Sequence, residues 1–191
     1  MSGLNKVNLN KIKQELHHYH QVRMEVIAKS NEALHHSKRA IFALHRDDLA
    51  EAKLKLELVE KMFKELNKKF AKDDIFDEGA YKAGLEEYVE AKLFYQFINT
   101  GKIGEIKDLP INGDGYLAGL CDVPGELYRY AIKAATNKDI KTAKKCAEMG
   151  SEILEELVEF NLTSYLRTKF DQAKQAVHKL EIVVYELSLR E

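Results

Sequence analysis

Only two prolines interrupt this chain, Pro110 and Pro124, and most of its ten glycines lie before Asn5 or between Gly79 and Gly125. Proline removes a backbone N–H, and glycine costs about 1 kcal/mol in a helix interior relative to alanine. The long stretches that lack both are therefore free to be helical. Their apolar residues recur every three or four positions, as one face of a helix requires. We find no convincing strand, internal repeat or low-complexity tract, so the expected fold class is all-α. The expected architecture is a bundle of about six to seven helices with a long first helix, in one domain spanning residues 1–191.

Charge and cysteine usage narrow the function classes. Lysine plus arginine (30) nearly balances aspartate plus glutamate (31), so any basic surface has to be local. Cys121 and Cys146 lack metal-type spacing and fit apolar helix faces, which points to a reducing compartment. No apolar run reaches transmembrane length and the N-terminus lacks a signal-peptide core. The expectation is a cytoplasmic protein with no membrane partner.

From about Asn8 to His45, Leu9, Ile12, Leu16, Tyr19, Val26, Leu34, Ile41 and Leu44 keep helical spacing. Such a helix would be on the order of 55 Å long, more than a small monomer covers, so part of it should meet another subunit. His17, His18, His20, His35, His36 and His45 cluster here. His17 and His20 have the i, i+3 spacing of two ligands, but no acid or cysteine completes a set, and a polar helix face is the simpler reading. The segment ends in SKRAIFALHR (Ser37 to Arg46), where Lys38, Arg39 and Arg46 form a candidate phosphate-contacting patch.

Asp47 or Asp48 caps a second helix running to Leu66 and beyond. A charged connector follows from Lys68 to Glu78, and helix three is expected over about Glu78 to Thr100. Gly101 to Gly113 reads as a loop that lets helix four turn back on helix three. Helix four holds Gly115 to Lys133; Pro124 should either kink it near Leu120 or make it restart with Asp122 as cap. Helix five is expected over about Asp139 to Phe160, Asn161 to Thr168 as a short link or helical turn, and the last helix over about Phe170 to Leu189.

Two acid pairs carry the chemistry. Glu87 and Glu90 sit about 60° apart on helix three, in a sector shared with Phe94, Phe97 and Ile98. Asp122, Glu126, Arg129 and Lys133 form a narrow stripe on an otherwise apolar helix four, which should face a cavity, a partner helix or a ligand. Short-loop neighbours usually run antiparallel, and that packing would bring the two pairs together. Oxygen-only clusters suit magnesium or manganese, which can activate a nucleophile and neutralise a phosphodiester. A di-iron centre would want Glu-x-x-His pairs, absent at Glu87 and Glu126. There is no phosphate loop, nucleophile elbow, CxxC or HExxH. Glu152, Glu155, Glu156 and Glu159 lie on a solvent side, and His178 is isolated.

SKRAIFALHR, EYVEA (Glu87 to Ala91), GYLAGLCDVPGELYRYAI (Gly115 to Ile132) and FDQAKQAVHKLEIVVYEL (Phe170 to Leu187) together resemble the translin superfamily, the trax branch above all. The short loop before GYLAG and the compact chain resemble archaeal trax-like proteins, which assemble without a separate translin partner. The resemblance implies a translin-like helical subunit of a hollow, roughly eight-subunit homo-oligomer that binds RNA, single-stranded or in short duplexes, or single-stranded DNA. It implies Mg²⁺-dependent endoribonuclease activity, with Glu87, Glu90 and Asp122 as trax-type catalytic and metal-binding acids and Glu126 as a fourth. Lys38, Arg39 and Arg46 would contact phosphate. The competing readings are a non-catalytic, translin-type nucleic-acid binder and a helical scaffold whose acidic stripe pairs with Arg129, Lys133 or another subunit.

Overall fold

The structure, a computed structural model, describes residues 6–71, 73, 75 and 77–189. Lys72, Asp74 and Phe76 of the charged connector, the first five residues and the last two lie outside the described residues. The described elements are all helical, as the hydrophobic spacing predicts: α1 (Lys6–His45), α2 (Leu49–Lys69), α3 (Gly79–Thr100), α4 (Gly113–Thr136), α5 (Ile140–Val158) and α6 (Ser164–Ser188).

α1 is 40 residues long, about 60 Å at the helical rise. Its buried stripe begins at Val22 and continues through Val26, Ser30, Ala33, Ser37, Ala40, Ile41 and Leu44. Before Val22 the helix is exposed, with Leu9, Leu16 and Tyr19 facing solvent. Asp48 caps α2 by accepting a hydrogen bond from the Glu51 N–H at 2.9 Å. Asp139 does the same for α5 through the Thr142 N–H at 3.0 Å.

Cross-helix contacts fix the direction of each rod. α1 and α3 run in the same sense, since Arg23 meets Glu78, Lys38 meets Glu87 and the His45 ring meets Phe94. α2 runs the opposite way, packed mainly on α1 and pairing Glu60 with Tyr88 and Asn67 with Tyr81 of α3. α4 and α6 also share a direction, with Asp122 against Lys169 and the Tyr128 ring against Lys179. α5 returns between those two, joined by short connections at either end. The molecule is thus two up-down-up trios joined where α3 packs on α4.

That junction corrects one expectation. α3 and α4 are parallel, not antiparallel: Gly115 lies against Leu85, Gly119 against Val89 and Tyr130 against Phe94. Residues 101–112 form a return strap that carries the chain back along α3, which about 40 Å of extended chain can span. The strap is anchored by buried Ile106 and Leu109 and by an Asp108–Lys92 ion pair at 2.9 Å.

Two further expectations are revised. α4 passes through Pro124 as one helix and Asp122 does not cap a restart; Pro124 has no N–H to give the Leu120 carbonyl, and burial of Val123, Pro124 and Leu127 holds the helix together around that gap. α6 begins at Ser164, so of the two readings of residues 161–168, link or helical turn, the helical one holds for most of the stretch, and the helix starts before Phe170. Leu166 in its first turn continues the stripe of Phe170, Ala173 and Val177 one turn earlier than the sequence reading began it. Cys121 and Cys146 are both buried and free.

Candidate functional site

The parallel packing of α3 and α4 depends on Gly119. A Cβ at that position would stand 2.6 Å from Val89 and 2.8 Å from the Glu86 carbonyl oxygen. With the backbones this close, Glu87 and Glu90 of α3 and Asp122 and Glu126 of α4 share one half-buried sector. Glu90 is 8% exposed and makes no hydrogen bond or ion pair with any described side chain. Burial, followed by the charges of Asp122, Glu87 and Glu126, pushes its carboxyl up to about 9, against a smaller opposing pull from Lys169. Burial also raises the Glu87 carboxyl, with Asp122, Glu126 and Glu86 adding to it and Lys38 opposing. Asp122 is raised by burial despite its hydrogen bond to Lys169.

The chain brings its own cations to three of the four acids. Lys38 of α1 stands 3.8 Å from Glu87. Lys169 of α6 donates to Asp122 Oδ2 at 2.5 Å and also pairs with Glu86. Glu126 meets the His45 ring nitrogen at 2.5 Å and accepts from Arg129 at 3.1 Å. The acidic stripe of α4 therefore faces α6 and the C-terminal end of α1.

His45 is thereby corrected from a polar-face residue to a partly buried partner of Glu126 packed on Phe94 and Tyr130. His17 and His20 are exposed. Of the basic patch, Lys38 joins the acid sector, Arg46 turns to Glu51 at 2.9 Å, and Arg39 is exposed.

Glu86, Lys169 and Tyr165 escape a reading by sequence. Glu86 precedes the Glu87–Glu90 pair and stands one turn before Glu90, which is the signal that could have found it. A lone lysine carries no such mark. Beside Glu86 and Tyr165, a groove of about 810 Å³ opens between the N-terminal ends of α3, α4 and α6.

The donor chemistry of the four acids fits a hard dication, since all are carboxylates and Glu90 has no partner of its own. In their present positions Glu87, Asp122 and Glu126 are turned to the chain's cations, and among the described residues no three His, Cys, Asp or Glu groups converge into a metal shell. No described helix is long and apolar enough to cross a membrane.

The sequence profile of the Translin family matches residues 21–191. This chain belongs to the Translin family. Within that family it is similar to the Translin-associated protein X homolog of Schizosaccharomyces pombe, 30% identical over 88% of this chain and 82% of that protein. That likeness agrees with the trax-like resemblance. The fold matches the crystal structure of AfC3PO with a TM-score of 0.88 and 25% identity, over 96% of this chain and 98% of that one. A complex of AfC3PO with duplex RNA has the same fold, with a TM-score of 0.85 and 23% identity over 96% and 98% of the two chains. The translin fold of this chain therefore extends over nearly its whole length.

Proposed function

We propose that this translin-family protein binds RNA as a subunit of a multi-subunit particle and hydrolyses RNA phosphodiester bonds at its acid sector. Magnesium, or manganese, would be held by Glu87, Glu90, Asp122 and Glu126. The observation that carries the reading is the meeting of two acids from α3 with two from α4, where burial and mutual repulsion hold Glu87, Glu90 and Asp122 above the carboxylate range. The duplex RNA bound by AfC3PO supports the choice of RNA, with single-stranded RNA, short duplexes and single-stranded DNA as the ligands to compare.

A bound hard dication would supply charge neutralisation at phosphate and a more acidic water. The chain's own residues bind and position. Lys38, beside Glu87, sets a positive charge at the edge of the acids where a phosphate backbone can be held, and exposed Arg39 and Arg46 extend that surface. Glu90 keeps its proton at neutral pH, so ligation there has to release it. His45 fixes the Glu126 carboxylate from α1.

The experiment is cleavage of a labelled single-stranded RNA with Mg²⁺, with EDTA, and by the Glu90→Ala and Asp122→Ala variants. The expected result is loss of cleavage in EDTA and a fall of roughly a hundredfold or more in each variant; unchanged cleavage by both variants would remove these acids from the mechanism. A second reading, an RNA binder without hydrolysis, is favoured by the existing pairing of Asp122 with Lys169 and of Glu126 with His45. It expects salt-sensitive retention of RNA that survives EDTA and both substitutions, with no cleavage product.

A further inference from the structure

The acid sector contains a cation that belongs to the chain. Lys169 is only 8% exposed, yet its ammonium bridges Asp122 of α4 and Glu86 of α3. Tyr165, one turn earlier on α6, donates its hydroxyl to the two Glu86 oxygens at 2.9 and 3.0 Å. Its ring centroid lies 5.3 Å from the Lys169 nitrogen. Glu86 is thus held twice from α6, whereas Asp122 is held from α6 once.

We propose that Lys169 is a positioning residue that fills, in the metal-free protein, the charge-balancing place of a divalent cation, turning Asp122 toward α6 until a dication draws it away. The inference rests on the metal reading above. An ammonium and a hard dication both seek anionic oxygen, and Asp122 cannot give its full charge to both. Glu86 makes the exchange possible, because the buried ammonium keeps one acid when Asp122 leaves and is never stranded without a partner. Tyr165 strengthens that arrangement by fixing Glu86 beside α6. The same exchange accounts for the present direction of Asp122, while Glu87 and Glu126 keep partners of their own in Lys38, His45 and Arg129.

The test is a titration of the full chain with Mn²⁺, followed by paramagnetic resonance without RNA, for the wild type, Lys169→Gln and Lys169→Arg. Removing the internal cation should tighten Mn²⁺ binding by about tenfold or more in Lys169→Gln. Lys169→Arg, whose guanidinium can reach both acids at once, should bind Mn²⁺ no more tightly than the wild type. A lysine whose loss merely loosened the packing of the acid sector would give weaker binding when replaced, so the direction of the change separates that role from this one, and the charge-keeping arginine variant checks that the gain comes from the vacated place. Equal or weaker binding by Lys169→Gln, with Mn²⁺ bound by the wild type, overturns this inference and leaves the metal reading standing. No binding by either protein overturns both. If Lys169→Gln does not fold, the arginine variant decides the matter, since tighter binding by it would overturn the proposal.

Discussion

Glu90 is the residue whose environment has the most measurable consequence. Its carboxyl is pushed up to about 9 from an ordinary 4.5 by burial and by neighbouring acids. Between those values the folded chain holds a proton that the unfolded chain releases, so stability falls as pH rises through that window. Glu90→Gln should flatten this slope and stabilise the metal-free protein by on the order of 2–4 kcal/mol at pH 8. Urea unfolding in EDTA at pH 5, 7 and 8.5 checks it, and a slope unchanged by the substitution would contradict the assignment. At this scale the acids were legible because helical spacing exposes them: Glu87 with Glu90 and Asp122 with Glu126 each recur within one turn. Their partners were not. Lys169 is an ordinary lysine until α6 carries it against two acids, and His45 reads as one of several surface histidines until the chain reverses and α4 packs beside it.

Among the elements, the approach of α4 to α3 is the most exacting contact. Gly119→Ala would place a methyl group on Val89 and on the Glu86 carbonyl, neither of which has room. The expected cost is about 1–3 kcal/mol of stability, read by thermal or urea unfolding, with a matching loss of RNA cleavage as the acid pairs separate. Full activity with unchanged stability would show that the helices tolerate a wider spacing. The existence of each helix was legible, since the apolar stripes of α1, α2 and α5 survive in the structure. Direction was not, because it is set by the return strap of residues 101–112, whose burial of Ile106 and Leu109 and tether from Asp108 to Lys92 are tertiary facts. The start of α6 was left open because its opening turn adds only Leu166 to the stripe, too little to choose between a link and a helical turn.

At the scale of the molecule, the N-terminal half of α1 extends beyond the core. Val7, Leu9, Ile12, Leu16 and Tyr19 are all exposed on it. Removing residues 1–20 should leave the folded core intact, because its buried stripe begins at Val22, while reducing the assembly in size. Light scattering measures the particle and circular dichroism the fold; an unchanged particle mass would show that this helix end is not an assembly surface. The length of α1 made its overhang legible beforehand, because a helix of 40 residues outruns the other helices of the chain; whether that overhang meets another subunit is what the truncation decides.

Lys169 follows in chain order both of the acids it joins, and that order has a consequence for biosynthesis. A chain leaving the ribosome exposes Glu86 first and Asp122 next, and the ammonium that reconciles them arrives only when α6 has been made. Until then those acids repel one another across the α3–α4 contact, so the two trios are discouraged from locking early. The bridge between α3 and α4 is therefore completed only once α6 has packed against them.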